Sequence, residues 1–228
     1  MPELADRLAG VLREVAAAAV ASGRDPSAVT LISVGKTFPA EVVREAVEAG
    51  ATDLGENRVQ EAAAKKPAVP SARWHLIGPL QRNKAKVALE VFDVFHTLDR
   101  MELADRLQRL LAAHWPDRRL PVLLEVNVGR EPQKAGVLPE EAAELLGHAA
   151  ECDRLDLCGL MAIPPWNEDP EASRPFYRAL RELRDELEDT AGIALPDLSM
   201  GMSHDFKVAI SEGATMVRVG TAIFGRRG

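Results

Sequence analysis

Val29-Thr30-Leu31-Ile32-Ser33-Val34-Gly35-Lys36-Thr37 is a short run rich in β-branched residues that ends on a lysine. Residues of this kind read as a buried strand. Lys36 therefore stands at a strand's C-terminal end, not on a solvated helix. An amine held in an apolar pocket gives up its proton more readily, from about 10.4 towards ~7–8, and becomes a nucleophile for carbonyl groups. The plain alternative is a strand-end lysine whose head stays in water. The rest of the chain has to decide between them.

On either side of this run the pattern is helical. Residues 3–22 put Leu4, Leu8, Val11, Leu12 and Val15 on one face, and Gly23 follows. Pro39 opens and Gly50 closes a helix over 39–49. Further on, short apolar segments alternate with amphipathic ones. Strands are expected near 52–55, 73–77, 93–97, 121–128, 155–161, 196–200 and 215–219. Helices are expected near 57–66, 81–90, 100–114, 139–150, 171–191 and 204–213. With 29–35 this makes eight strands separated by helices, the pattern of a single-domain α/β chain, residues 1–228, folded as a (β/α)8 TIM barrel. The chain stops soon after its eighth strand, so the additional N-terminal helix 3–22 is expected to cover that strand in place of a C-terminal helix.

Composition narrows the functional classes. The 228 residues are 46% hydrophobic and 28% charged, with a formal net charge of −7. Basic pairs are scattered, which argues against nucleic acid as a partner. No apolar run reaches membrane-spanning length, and no signal-peptide core opens the chain. Cys152 and Cys158 make neither a metal pair nor a disulfide framework, in keeping with the cytoplasm. The histidines, at positions 75, 96, 114, 148 and 204, lack metal-ligand spacing. Exposed apolar surface is sparse, and a monomer is expected.

In a barrel of this kind the chemistry sits at the C-terminal strand ends. Alternation turns Leu123, Glu125 and Asn127 of the fifth strand inward, and likewise Arg218 of the eighth, between Val217 and Val219. A buried guanidinium needs an anion, either Glu125 or a bound ligand. The end of the seventh strand, Ser199-Met200-Gly201-Met202-Ser203, puts Ser203 at a helix start, and Gly220-Thr221 follows the eighth. Loops after strands seven and eight form the usual phosphate cradle of this fold. A phosphate opposite a carbonyl-reactive lysine suggests pyridoxal 5′-phosphate or a sugar phosphate. Three tempting motifs fail. Gly35-Lys36-Thr37 has Thr30 where a Walker loop needs its first glycine. The segment 201–205 lacks the closing glycine of a nucleophile elbow, and its adjacent Ser-His-Asp is no triad. His75 reads as a packed strand histidine.

Several blocks resemble one family over nearly the whole chain and in order. They are Val34-Gly35-Lys36-Thr37, Gly55-Glu56-Asn57-Arg58-Val59-Gln60-Glu61, the block 74–84 from Trp74 to Lys84, Gly159-Leu160-Met161-Ala162-Ile163-Pro164, the block 198–206 from Leu198 to Phe206, and the block 217–225 from Val217 to Gly225. The family is that of the pyridoxal phosphate homeostasis proteins. The resemblance implies a barrel like the N-terminal domain of alanine racemase, with pyridoxal 5′-phosphate held as an internal aldimine on Lys36. It implies that Asn57 borders the cofactor, that Ser203, Gly220 and Thr221 hold its phosphate, and that Arg218 meets the phosphate or the ring nitrogen. Ser199, at the end of the seventh strand, is grouped with them. Lys134-Ala135-Gly136 is similar to a Lys-x-Gly loop of the family. Arg58 departs from it, standing where many members carry tyrosine.

The expected role is binding and buffering of vitamin B6, with other vitamers and apo-enzymes as further partners and no robust turnover. Racemisation needs acid/base groups on both faces of a substrate, and no second domain is present to bring one. The only tyrosine, Tyr177, falls on the outer helix. The alternatives are a racemase or lyase using the same cofactor or a Schiff-base aldolase acting on a sugar phosphate, with Cys158, Lys134 or a partner subunit as the source of the second acid/base group, and a pure interaction module.

Overall fold

The computed structural model describes residues 3–225. Eight parallel strands close into a barrel in sequence order: β1 Thr30–Val34, β2 Asp53–Glu56, β3 Arg73–Leu76, β4 Val94–Leu98, β5 Leu120–Glu125, β6 Leu155–Met161, β7 Asp197–Met202 and β8 Met216–Val219. Closure is made by β8 pairing back on β1, Thr30 opposite Met216 and Ile32 opposite Arg218. The helices are α1 Leu4–Ala21, α2 Ala40–Glu48, α3 Val59–Lys65, α4 Ala85–Val91, α5 Met101–His114, α6 Ala142–Ala150, α7 Arg174–Ala191, α8 Phe206–Ser211 and α9 Thr221–Phe224. The elements follow the expected order, with ends trimmed by a few residues.

One expectation needs correcting. The eighth strand is not followed by bare chain but by α9, a single turn whose Ile223 and Phe224 are buried. The N-terminal helix still does the covering. It packs on α8 and α9 through Leu4, Leu8, Val11, Val15 and Ala19. Arg7 and Arg24 pin it, donating to the carbonyls of Ile223 (2.6 Å) and Ala214 (2.7 Å).

Strand alternation divides the side chains cleanly. Leu124 and Val126 of the fifth strand segment, Val217 and Val219 of β8, and Leu198 and Met200 of β7 join one apolar cluster with the helices. The inside holds a much smaller apolar group, Val94, Leu123 and Met161. Polar side chains fill much of the remainder, and His75, His96, Glu125, Ser199 and Arg218 are all buried. Parallel strands are buried on both faces, so polar residues there must find partners inside the barrel.

Candidate functional site

Lys36 lies on a tight turn that begins where β1 ends. Phe38 N–H donates to Gly35 O (3.1 Å), and Thr37 adopts a left-handed backbone with φ 70°. Such a conformation costs a non-glycine residue about 1–3 kcal/mol and persists only when neighbours enforce it. Here they do. Lys65 Nζ, from α3, donates to Gly35 O (2.9 Å), and Thr37 N–H donates to Glu61 Oε2 (3.0 Å). The packing also demands glycine before the lysine, since a Cβ at Gly35 would stand 2.9 Å from Val43 Cγ2.

Lys65 is itself buried and pairs with Glu56 Oε1 at 2.6 Å. Burial pushes the Glu56 carboxyl above its usual range, and the charges of Lys65 and Lys36 offset only part of that. The Gly55-Glu56-Asn57 block thus does two jobs. Glu56 anchors the cation that holds the Lys36 turn, and Asn57 faces the barrel mouth. Gly78 allows this close approach: a Cβ there would lie 2.7 Å from the Asn57 carbonyl oxygen.

The mouth holds a cavity of about 280 Å³. Lys36, Asn57, Ser203, Arg218, Gly220 and Thr221 line it together. Sequence reading had assembled these six from four separate segments. Ser199, grouped with them, is not on the wall. It is wholly buried behind Arg218, whose Nη1 donates to Ser199 Oγ and Ser199 O (both 2.6 Å) while Nη2 donates to Ala162 O (2.9 Å). Among the described residues no ion pair joins Arg218 to Glu125, so the internal salt bridge entertained from sequence is not formed. Of the five N–H donors of a guanidinium, three are used within the protein, and the side chain also reaches the cavity wall.

Ser203 caps a different helix from the one expected. Its Oγ accepts from Gly220 N–H (3.2 Å) and, more distantly, Ala222 N–H (3.5 Å), at the start of α9. The start of α8 is organised by Asp205, whose carboxylate accepts from Met202 N–H, Ser173 Oγ and Tyr177 Oη. Tyr177 is therefore a core residue, as the helix pattern indicated, and burial against Asp205 pushes its phenol up.

Other wall residues escaped sequence reading. Ile77, Ile163 and Met202 give the cavity apolar sides. Trp166, 74% exposed, stacks on His204 with ring centroids 6.5 Å apart, and both border the mouth. The polar loop at 164–169 carried no periodicity that would place Trp166 there. Lys134 donates to the carbonyls of Pro164 (2.9 Å) and Ile163 (3.4 Å), tying the loop after β5 to the loop after β6. Arg58 faces a neighbouring depression with Gln60, Lys84 and Arg100, and pairs with Glu61 at 3.2 Å. No group of three metal-ligating side chains comes together among the described residues, and no helix there is long and apolar enough to cross a membrane.

The donor set suits a phosphorylated aldehyde. A guanidinium and the hydroxyls of Ser203 and Thr221 can meet an anion. A lysine stands on the same wall, and apolar sides can take a flat ring. Gly220 is set by packing against β1, since a Cβ there would press to 3.2 Å from Val34 O.

The family model described as alanine racemase, N-terminal domain, matches residues 27–228. A relative from Aquifex aeolicus, named pyridoxal phosphate homeostasis protein, is 47% identical over 224 residues, 97% of each chain. The solved structure of PipY from Synechococcus elongatus PCC7942 with PLP bound is 38% identical, with a TM-score of 0.84 over 98% of this chain and 100% of that one. Alanine racemase from Clostridium difficile 630, at 15% identity, shares the fold alone, with a TM-score of 0.73 over 95% of this chain and 59% of that one. The chain belongs to the alanine racemase N-terminal domain family and, within it, to the pyridoxal phosphate homeostasis proteins.

Proposed function

We propose that this chain binds pyridoxal 5′-phosphate through Lys36 and serves vitamin B6 homeostasis in the cytoplasm, holding and releasing the vitamer without robust turnover. The observation that carries this reading is the convergence of Lys36, Asn57, Ser203, Arg218, Gly220 and Thr221 on one cavity. When bound, the vitamer supplies an aldehyde for an amine to capture and a ring that withdraws electrons. Lys36 Nζ is the amine. The turn held by Lys65 and Glu61 fixes its backbone, so the side chain approaches from one direction. The hydroxyls of Ser203 and Thr221, beside Gly220, would receive the phosphate, and Arg218 adds the charge that a buried anion requires. Asn57 would border the ring, and the apolar Ile77, Ile163 and Met202 would shield it from water.

Absence of turnover rests on the surroundings of the candidate acid/base groups. The Cys158 thiol is pushed up to about 11 by burial and nearby Asp156, and it lies off the cavity wall. Lys134 is engaged with two backbone carbonyls and Glu131. Tyr177 is committed to Asp205. One observation favours catalysis instead: His204 borders the mouth and could exchange a proton there.

Borohydride reduction of the vitamer-loaded protein, followed by peptide mass mapping, is expected to place a reduced adduct on Lys36. Lys36→Ala should abolish both adduct and visible absorbance band. A protein that yields no reducible adduct defeats the reading. To separate holding from catalysis, amino-acid α-proton exchange into deuterated solvent is measured. Rates no higher than those of free vitamer are expected, and rates well above them favour the enzyme.

A further inference from the structure

A continuous hydrogen-bonded chain crosses the barrel interior beneath the cavity. It starts at Asp53, the first residue of β2, whose Oδ1 lies 2.8 Å from His75 Nε2. His75 Nδ1 is 2.9 Å from His96 Nε2, and His96 Nδ1 is 2.8 Å from Ser199 Oγ. Ser199 Oγ then accepts from Arg218 Nη1 at 2.6 Å. Five strands, β2, β3, β4, β7 and β8, contribute one member each. Both histidines and Ser199 are wholly buried.

The two ends impose a direction. A guanidinium can only donate, and an ionised carboxylate can only accept. Burial works against the Asp53 charge, but hydrogen bonds from His75 and Thr52 outweigh it and hold the carboxyl below its usual range. Burial, with the charge of Arg218 beside it, holds His96 well below the usual imidazole range, so that ring is neutral. If His75 is neutral as well, one arrangement satisfies every member. His75 Nε2–H donates to Asp53, His96 Nε2–H donates to His75 Nδ1, and Ser199 Oγ–H donates to His96 Nδ1. The Ser199 oxygen then has its lone pairs free for Arg218. If His75 instead carries two protons, His96 must donate through Nδ1 to Ser199. The buried hydroxyl hydrogen of Ser199 would then have no acceptor among the described residues. Buried polar hydrogens are rarely left so, and the neutral chain is the one the geometry favours.

We propose that Asp53 is a positioning residue for the polar line behind Arg218: through His75 and His96 it sets the hydrogens of the chain so that the Ser199 hydroxyl points at His96 and both lone pairs of Ser199 Oγ are left to Arg218. The residue lies at the opposite end of the barrel from the ligand and touches none of the wall. Its influence is passed on as a choice of tautomer, which a chain of bonded dipoles transmits without any displacement of backbone.

The test uses the ¹⁵N-labelled full chain without vitamer. Long-range proton–nitrogen correlation is expected to find both His75 and His96 protonated on Nε2 alone. In Asp53→Asn, the amide keeps its carbonyl towards Thr52 and presents NH₂ to His75 Nε2, which selects the opposite tautomer, as an amide does in place of a triad carboxylate. Both rings should move to Nδ1–H, while Arg218 keeps its bonds to the carbonyls of Ser199 and Ala162. Should Asp53→Asn fail to fold, Ser199→Ala removes the far end of the chain and should leave both rings protonated on Nε2, because Asp53 sets them from the other end. Either ring protonated on Nδ1 in the parent chain overturns the proposal. So do tautomers that stay unchanged in Asp53→Asn or that reverse in Ser199→Ala. A parent chain that captures no vitamer defeats only the cofactor reading, because the nitrogen spectra still decide the direction of the chain.

Discussion

The two faces of the sheet are built on opposite principles. Outside, Leu124, Val126, Val217 and Val219 meet the helices in a continuous apolar layer. Inside, their immediate neighbours Glu125 and Arg218 are buried with His75, His96 and Ser199 around a small apolar group. The outer face gains stability from area removed from water, about 25 cal/mol per Å², and tolerates no particular partner geometry beyond close packing. The inner face gains little that way. Its polar atoms must be matched bond for bond, and one left over costs about 1–3 kcal/mol. Stability therefore concentrates outside and specificity inside, on the same eight strands.

Three substitutions would break or sharpen that contrast. The greatest loss is expected from Lys65→Met, because Lys65 is a buried cation set into the otherwise apolar outer layer. It would strand the Glu56 carboxylate, costing about 3–5 kcal/mol, and release the Gly35 carbonyl that steadies Lys36. Urea denaturation and adduct yield should fall together. If stability falls but adduct formation is untouched, the turn does not depend on α3.

Next, Leu107→Ala empties a fully buried position of α5. A loss of about 2–5 kcal/mol is expected. Vitamer affinity of the folded fraction should be unchanged, since nothing on the wall leans on α5. A shift in affinity would mean the two faces are not separable.

The third acts through pH. Burial, with the Asp99 charge beside it, pushes the Glu125 carboxyl up to about 7, and Arg218 offsets only part of this. Glu125 Oε2 has no hydrogen-bond partner among the described residues. The folded chain therefore keeps a proton that the unfolded chain releases near 4.5. Stability should fall as pH rises between about 4.5 and about 7, by roughly 3 kcal/mol in all. Glu125→Gln should remove that fraction of the slope in urea midpoints measured across the window. A slope identical to the parent's would place the titrating group elsewhere.

Much of this was legible without coordinates. Alternation in β5 and β8 identified Glu125 and Arg218 as inward, because a polar residue inside a β-branched run has only the barrel to point into. The cavity-lining Ser203, Gly220 and Thr221 were legible as well, since the ends of barrel strands meet at the mouth by the general rule of the fold. Ser203 shows where such reading stops. Its position before a helix suggested a cap on α8, but it caps α9, which lies next to it only once β7 and β8 are paired. Trp166 was invisible for a related reason: an irregular loop has no period from which to infer what it approaches.

What the amino-acid order determined was local and repetitive: eight strands, the helices between them, and which side chain of each strand turns inward. Hydrophobic periodicity encodes these because burial acts on every residue alike. Which inward residues touch was decided only by closure of the barrel, which sets the register of strands far apart in the chain. Asp53, His75, His96, Ser199 and Arg218 become one bonded line because hydrogen bonds act over about 3 Å, a distance that no spacing along the chain can specify.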